Sequence, residues 1–476
     1  MPPISTSTTA TNRWVALWVL CSGVLMIVLD STIVNVALPA IQADLGFDQT
    51  SLVWVVNSYL LTFGGCLLLG GRLGDLYGHR RLFLIGLVAF TLASLVCGLA
   101  TSGGMLIAAR ALQGIGGAVV DAVAMSLVMT MFQEEGERAK AMGIFGFVAS
   151  AGGSIGVLLG GALTSFLSWH WIFLVNVPVG LLVYALTRRL VPADGDLHAP
   201  ERLDVGGAVT ITAALMTAVY GVVNGNDAGW LSLTTLGTLG LAAVLLAVFA
   251  VIETRVAEPL MPLWHFANRN ITIANLIAVL WAASMFAWFF LSTLYMSRVL
   301  GYGPMAVALA FLPADVIMGI LSVGISARLV MWLGVRPPLV AGLALGAIGL
   351  ALFARAPVDG TFVLDILPGM LLLGVGAGIA FNPLLLVAMS HADPSEEGLA
   401  SGLVNTSFMM GGALGLAILA SIAAAATHAA AADGTNGALA AGYGMAFGIG
   451  AAGAALAAML ALMLSAREKE RGAEVA

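Results

Sequence analysis

Residues 14–39 read WVALWVLCSGVLMIVLDSTIVNVALP, an apolar run in which Asp30 is the only charged residue. A helix needs about 20 apolar residues to cross the hydrocarbon core of a bilayer, so this run is long enough to do so. Its polar residues do not alternate with apolar ones, which argues against a strand of a membrane barrel. The run therefore predicts a transmembrane helix with a carboxyl group at bilayer depth, where charges are costly and usually functional.

The rest of the chain has the same character. Of its 476 residues, 60% are hydrophobic and 9% are charged, and the mean hydropathy is +1.02, whereas a soluble domain carries about 25% charged residues. A soluble enzyme and a disordered chain are thus excluded, and a net charge of −6 without a basic run excludes nucleic acid as a partner. The predicted class is an all-α integral membrane protein with fourteen transmembrane helices, at 14–39, 50–71, 82–101, 104–131, 139–166, 170–187, 204–224, 230–252, 271–296, 304–332, 337–355, 361–389, 398–426 and 439–465.

Motifs of cofactor chemistry are missing from the sequence. The two lysines, Lys140 and Lys469, do not belong to a Walker A motif, so the chain has no P-loop for ATP hydrolysis. The cysteines and histidines are scattered and lack the spacing of metal ligands. The sequence therefore predicts no cofactor, and if the chain does transport work, it does not hydrolyse ATP through a P-loop.

The distribution of positive charge predicts the orientation. If both termini lie in the cytoplasm, 16 of the 19 lysines and arginines fall in cytoplasmic segments. Cytoplasmic loops of membrane proteins are enriched in these residues. We therefore expect a multi-pass protein of the plasma membrane with both termini in the cytoplasm and an even number of spans.

Three local patterns occur twice at nearly the same offset. Arg72-x5-Gly78-x-Arg80 returns as Arg328-x5-Gly334-x-Arg336, and Gly114-x-Gly116 returns as Gly374-x-Gly376; glycines 143, 152, 153 and 156 return as glycines 402, 411, 412 and 415. Chance is the alternative explanation, because the chain has 58 glycines. The repeat predicts two parallel, pseudo-symmetric six-helix bundles, at 14–190 and 263–466, separated by a two-helix insert at 191–262.

Several motifs resemble those of a known family. They are LDSTIVNVALP at 29–39, GRLGDLYGHRR at 71–81, RALQGIGG at 110–117, the glycines of span five, and WHWIFLVNVP at 169–178. Together they resemble the major facilitator superfamily, and within it the fourteen-helix branch of drug:proton antiporters. One departure is Val157, which stands where the antiporter motif of span five has proline.

The resemblance implies a proton-coupled exporter of lipophilic or cationic drugs and antibiotics that works by alternating access. It would bind its small-molecule substrate, protons and membrane lipid, and we expect a monomer. A dedicated exporter of one secondary metabolite or lipid is the alternative on the same fold. A membrane-embedded enzyme is a remote alternative, because the loops are too short to hold a soluble catalytic domain. The arginine-rich, lysine-poor composition favours a bacterial source.

Three charged residues are candidates for proton coupling. Asp30 in span one and Arg110 in span four lie at similar depths, so we expect them to pair or to face an aqueous cavity. Asp121 follows Arg110 by eleven residues, which is about three helical turns plus 20°, so both face the same side of span four. Asp121 is a second proton site or a partner for a cationic substrate. The structural alternatives are a static ion pair and a carboxyl that is hydrogen-bonded within a helix interface.

Two further groups of residues are expected to act in the conformational change. The cytoplasmic loop after span two is expected to form a gate, for which ordinary topogenic charge is the alternative; its residues are Gly71, Arg72, Asp75, Gly78, Arg80 and Arg81. The glycines of span five permit close approach of another helix, with or without a gating role; they are Gly143, Gly152, Gly156, Gly160 and Gly161.

A substrate cavity between the two bundles is expected to contain polar and aromatic side chains from several spans. The candidates are Asn35, Trp54, Gln113, Trp281, Phe286, Asp315, Asn382 and Asn405. Asp315 follows Pro313 closely, so its carboxyl has the alternative role of satisfying a broken helical turn.

Overall fold

The computed structural model describes residues 10–132, 134–192, 204–256, 263–389, 397–430 and 434–464, together with the single residues 259 and 261. All regular structure in these ranges is helical. The membrane helices are α1 (Ala10–Leu45), α2 (Val53–Tyr77), α3 (His79–Gly98), α4 (Gly103–Met131), α5 (Glu135–Phe166), α6 (Asn176–Leu190), α7 (Val205–Ala228), α8 (Leu233–Arg255), α9 (Arg269–Leu294), α10 (Pro304–Ile320), α11 (Arg336–Phe353), α12 (Leu367–Met389), α13 (Glu397–Ala429) and α14 (Gly434–Leu462).

Thirteen of the described helical stretches are long and apolar enough to cross a membrane. The remaining one, α10, is shorter, but it continues through a π-helical turn at Leu321–Ile325 into a helix at Ser326–Leu333. Similar π-helical turns follow α9, at Tyr295–Val299, and precede α12, at Phe362–Ile366. The prediction of an all-α membrane protein is confirmed, although the tenth span is interrupted rather than continuous.

The glycine repeat is also a repeat of contacts. A Cβ atom at Gly156 would collide with Thr32 on α1, and one at Gly415 on α13 would collide with Ala283 on α9. In the same way α4 fits between α2 and α3, and α12 fits between α10 and α11. Because these glycines lack side chains, the backbones of neighbouring helices can approach closely. We refer to α1–α6 as the N lobe and to α9–α14 as the C lobe.

The repeated loops have the same backbone geometry. Gly78 ends α2 with φ of 94°, and Gly334 ends the helix that continues α10 with φ of 79°. Residues other than glycine rarely adopt such values, so glycine is required for these tight reversals. The next helix begins at His79 in the N lobe and at Arg336 in the C lobe. This side of the bundle, where α2 meets α3, is called the Arg80 end below.

The two lobes contact each other through α5 with α10 and through α2 with α13. Away from the Arg80 end, the backbone N–H of Met305 donates to Ser165 Oγ at 3.1 Å. Asn57 Nδ2 donates across the other contact to the carbonyl oxygen of Ala413 at 2.8 Å. Towards the Arg80 end, Gly143 on α5 and Gly324 in the π-helical turn after α10 face open space.

The helix pair α7–α8 lies beside this bundle. α7 packs against α2 and α13, and α8 packs mainly against α7. Asn226 Nδ2 on α7 donates to the carbonyl oxygen of Ser421 at 2.7 Å and to its hydroxyl at 2.9 Å. The pair therefore touches both lobes along one of their contacts and leaves the α5–α10 contact uncovered.

Candidate functional site

The most polar buried cluster of the described chain lies inside the N lobe. Asp30 on α1 and Arg110 on α4 are each only 1% exposed, and Asp30 Oδ2 lies 2.5 Å from Arg110 Nη1. A charge at this depth is costly without a partner. The expected pairing of these two residues is therefore present as a direct, charge-assisted hydrogen bond.

The second oxygen of Asp30 is satisfied by two amides. Oδ1 accepts from Gln113 Nε2 at 2.7 Å and from Asn176 Nδ2 on α6 at 2.9 Å. Gln113 Nε2 also donates to Ser94 Oγ on α3 at 2.7 Å. The carboxylate thus accepts three hydrogen bonds, and these compensate for the loss of water around it.

Arg110 is held by groups on its own helix and on two others, α1 and α2. Besides Asp30, its Nη1 donates to Gln113 Oε1 at 2.7 Å, and its Nε donates to the carbonyl oxygen of Val55 on α2 at 3.0 Å. The guanidinium carbon lies 4.3 Å from the centre of the Tyr59 ring, a cation–π contact. Every helix of the N lobe except α5 supplies a group to this cluster. A change in the cluster therefore alters contacts in most of the lobe.

Asp121 has a different environment from Asp30. It lies on α4, eleven residues after Arg110, and is half-buried. It forms no hydrogen bond or ion pair with another residue in the described ranges. Asp315 on α10 is similar, since it is 3% exposed and its Oδ2 has no hydrogen-bond partner within those ranges. Both carboxyls thus lack the protein hydrogen bonds that hold Asp30.

The residues of the predicted gating loop lie at the Arg80 end. Asp75 is largely exposed and its Oδ1 lies 3.1 Å from His79 Nε2, while Arg80 Nη2 donates to the carbonyl oxygen of Arg188 at 2.5 Å. That carbonyl belongs to the last turn of α6, where a cation is favoured by the helix dipole. Gly71 and Arg72 are half-buried, Gly78 makes the turn described above, and Arg81 is exposed.

Four of the five predicted glycines in α5 lie at close helix contacts. Gly152, Gly156 and Gly160 face α1, where a Cβ at Gly160 would lie 2.7 Å from the carbonyl oxygen of Ile33. Gly161 instead faces α10, and a Cβ there would lie 3.0 Å from the carbonyl oxygen of Pro304. Gly143 has no atom within 4 Å of its Cβ position and does not take part in this packing.

The structure does not place Gln113 or Trp281, two of the predicted cavity residues, at an accessible surface. Gln113 is fully buried in the Asp30 cluster, and Trp281 is 1% exposed inside the C lobe, where its ring packs against Gly346. Large buried rings fill lobe interiors because they contribute much apolar area. Periodicity in a wholly apolar helix does not distinguish its buried face from a face lining a cavity.

The other predicted cavity residues are partly accessible. Asn35, Trp54 and Asn405 are half-buried, and Asn382 Nδ2 donates to the carbonyl oxygen of Ser322 at 2.8 Å. Phe286 is half-buried and packs edge-on against Phe408, with ring centres 5.8 Å apart. These positions are compatible with a cavity wall, whereas the carboxyl of Asp315 is nearly enclosed.

The sequence analysis did not identify three members of the Asp30 cluster as functional: Tyr59, Ser94 and Asn176. Asn176 lies within the quoted stretch 169–178, and a side chain with an amide in an apolar span was a usable signal. Ser94 carried no such signal, because serine hydroxyls in membrane helices commonly bond to their own backbone.

Comparisons with known proteins agree with this architecture. The family model described as the Major Facilitator Superfamily matches residues 20–416. The chain is 39% identical to the puromycin resistance protein pur8 of Streptomyces alboniger, over 89% of this chain and 84% of that protein. It is 40% identical to the cephamycin export protein CmcT of Amycolatopsis lactamdurans, over 93% and 90%, and 38% identical to the lincomycin resistance protein of Streptomyces lincolnensis, over 86% and 84%.

A solved structure confirms the fold. The crystal structure of a mutant form of the nucleoside transporter NupG matches with a TM-score of 0.68 over 94% of this chain and 99% of that chain, at 11% sequence identity. The identity is too low to carry more than the architecture. With the family model covering most of the chain and relatives near 40% identity, the resemblance seen in the motifs is confirmed, and the chain belongs to the major facilitator superfamily.

Proposed function

We propose that the protein exports antibiotics or similar lipophilic and cationic compounds in exchange for protons. The observation that carries this proposal is the buried Asp30 carboxylate, which is bound by Arg110, Gln113 and Asn176 in the lobe interior. The names of the relatives support the class of substrate, because they refer to resistance to puromycin and lincomycin and to export of cephamycin.

The geometry suggests how proton exchange would drive the transport cycle. In this scheme Asp30 is ionised while it is paired with Arg110, which is the arrangement of the described structure. A proton that binds Asp30 removes its charge and weakens the bond to Arg110, so α1 and α4 become free to change their relative position. Release of the proton on the other side restores the pair. The lobes would rock between two arrangements, each stabilised by different contacts.

The remaining features of the proposal follow from the family and the composition. We place the protein in the plasma membrane of a bacterium, with both termini in the cytoplasm, because this puts most arginines on the cytoplasmic side. It would act as a monomeric carrier rather than as an enzyme, surrounded by lipid and without a cofactor other than the proton gradient. The N lobe, the C lobe and the α7–α8 insert would be its structural units.

The test is proton-coupled uptake of an antibiotic into inside-out vesicles. Asp30→Asn keeps the size of the side chain but cannot exchange a proton, so we expect the stimulation of uptake by an imposed proton gradient to disappear. Asp227→Asn is the matched control, because Asp227 is exposed at the end of α7. Retention of full stimulation in Asp30→Asn, at equal protein level, would remove Asp30 from the mechanism.

A dedicated exporter of one compound is the second candidate, since one relative is named as a cephamycin export protein. A panel of antibiotics and dyes separates the two functions. Resistance to several unrelated compounds, abolished by a protonophore, would indicate a multidrug exporter, whereas resistance to a single class would indicate a dedicated one.

A further inference from the structure

The helix pair α7–α8 contains two buried carboxyls that the transport scheme above does not use. Asp204 directly precedes α7 and is 6% exposed, and Glu253 lies in the last turn of α8 and is 1% exposed. Each binds one backbone amide: Gly207 N–H donates to Asp204 Oδ1 at 2.7 Å, and Met261 N–H donates to Glu253 Oε2 at 3.0 Å. The other oxygen of each carboxyl has no hydrogen-bond partner in the described part of the chain.

The two unpartnered oxygens meet beside Gly207. Glu253 Oε1 lies 2.9 Å from the Cβ position of Gly207, and Asp204 Oδ2 lies closer still to the same point. The two side chains are near enough for a hydrogen bond between them. An ionised carboxylate only accepts hydrogen bonds, so two of them cannot bond to each other, whereas one proton turns either of them into a donor. Two like charges that share a buried site are also strongly unfavourable.

No positive group compensates this pair within the described ranges. The titratable or charged residues toward this end of the elements packed against it are Arg72 and Asp75 on α2, Arg255 on α8, His265 in the 3₁₀ helix at Leu263–Ala267, and Glu397 at the start of α13. None of the hydrogen bonds or ion pairs of the described chain joins one of these residues to Asp204 or Glu253. A proton is therefore the simplest occupant of the space between the two oxygens.

We propose that Asp204 and Glu253 form a second proton-binding site, in which one proton is shared between Oδ2 of the first and Oε1 of the second. The proton comes from water, and the pair then carries a single negative charge. The amides of Gly207 and Met261 bind the two outer oxygens. The inference goes beyond the proposed function, because the site belongs to the insert and lies apart from Asp30 and its partners.

Helix directions place the pair toward the Arg80 end. α13 begins near that end, because a Cβ at Gly402 would lie 2.7 Å from Leu68, in the second half of α2. α7 runs parallel to α13, since Ile211 packs against Met410 and the far end of α7 bonds to a later part of α13. Asp204, at the start of α7, therefore lies toward the Arg80 end.

Met261 connects the pair to the C lobe. Its side chain packs against Ile211 on α7, Phe249 on α8 and Met410 on α13, while its N–H is bound to Glu253. Without the shared proton, repulsion from Asp204 would drive Glu253 toward water and break the bond to Met261. The proton therefore holds the segment before α9 against the insert.

The experiment is infrared difference spectroscopy of purified protein at neutral pH in detergent. A protonated carboxyl absorbs apart from a carboxylate, so the wild-type spectrum minus that of a variant isolates its band. Asp204→Asn and Glu253→Gln each supply a neutral amide that donates to the remaining carboxylate. We expect each variant to lose the same acid band, with the intensity of one carboxyl. The double variant should lose no more than either single variant, because one proton is shared.

Asp227→Asn is the matched control, because Asp227 is exposed at the other end of α7; it should lose no acid band. A band lost in only one of the two single variants would assign the proton to one carboxyl and overturn the sharing. A band lost in neither would mean that both carboxyls are ionised, which also overturns the inference. Asp30→Asn should keep this band, so failure of proton-coupled transport in a protein that retains it would refute the proposed function alone.

Two glycine variants test the pair while both carboxyls are kept. A Cβ at Gly207 would collide with both oxygens, whereas the nearest atom to the Cβ position of Gly206 is Asp204 Oδ1 at 3.6 Å, an ordinary contact. Gly207→Ala should therefore remove the acid band and speed hydrogen exchange at the Met261 amide by at least about tenfold, since a hydrogen bond to a charged group is lost. Gly206→Ala should do neither. Equal behaviour of the two variants would overturn the assignment of the pair.

Discussion

At the scale of single residues, the N lobe contains two carboxyls with opposite surroundings. Asp30 accepts three hydrogen bonds from side chains, whereas Asp121 has no protein partner among the described residues. Removing one partner of a buried charge costs more free energy of folding than removing both members of the pair together. The donors around Asp30 should therefore be as important as Asp30 itself.

Asn176 provides the test of this idea. Asn176→Ala removes the donor to Asp30 Oδ1 and leaves the buried carboxylate with one fewer partner, so we expect a loss of about 1.5–3 kcal/mol in the free energy of unfolding. Thermal unfolding in detergent measures it. Asn224→Ala is the control, because Asn224 bonds only to the carbonyl of Tyr220 in its own helix, and it should change stability by less than about 0.5 kcal/mol. Equal effects of the two substitutions would contradict the assigned role of Asn176.

At the scale of helices, glycines decide which faces pack together. The sequence allowed the prediction that the glycines of α5 and α13 correspond, and the contacts with α1 and α9 show the same correspondence. Gly160 is the tightest test in α5, since its Cβ would meet the backbone carbonyl of Ile33 rather than a side chain that can move. Gly143 lies on the same helix but faces open space.

Gly160→Ala and Gly143→Ala should therefore have opposite effects. The first forces α1 and α5 apart, and we expect it to destabilise the protein by about 1–3 kcal/mol, as overpacking does elsewhere. The second replaces glycine in an open helical position and should be neutral or stabilising by up to about 1 kcal/mol. The melting temperatures of the two purified variants measure this difference, and destabilisation by Gly143→Ala alone would reverse the interpretation.

Sequence patterns predicted helices well and their internal detail poorly. Hydropathy predicted every described membrane helix, because twenty apolar residues in lipid have few other structures available. It could not predict the π-helical turn at Leu321–Ile325, which depends on how α10 meets α12. Asp30 and Arg110 could be identified in the sequence because charged residues are rare in apolar spans. The neutral partner Ser94 and the burial of Trp281 follow from tertiary packing alone.

At the scale of the whole molecule, α5 and α10 are joined away from the Arg80 end, and glycines on or beside these helices face open space toward that end. The contact between Ser165 and Met305 lies away from the Arg80 end, whereas Gly143 and Gly324 face open space toward it. If the Arg80 end is cytoplasmic, as the distribution of positive charge predicts, the Ser165–Met305 contact closes the opposite side of the bundle. Export would then require the Ser165–Met305 contact to break so that the other side can open.

A reversible crosslink tests whether this contact must break. In a variant without the native cysteines Cys21, Cys66 and Cys97, the pair Ser165→Cys and Met305→Cys should form a disulfide on mild oxidation. Transport should then stop and return after reduction, because the crosslink holds α5 on α10.

The control pair lies within the C lobe, at Ser284→Cys and Gly450→Cys, where Ser284 Cα is 4.0 Å from the Gly450 Cβ position. That crosslink joins α9 to α14, which move together when the lobes rock, so transport should continue. Undiminished transport by fully crosslinked Ser165→Cys/Met305→Cys protein would show that the lobes do not separate there, and the alternating-access scheme would have to be replaced.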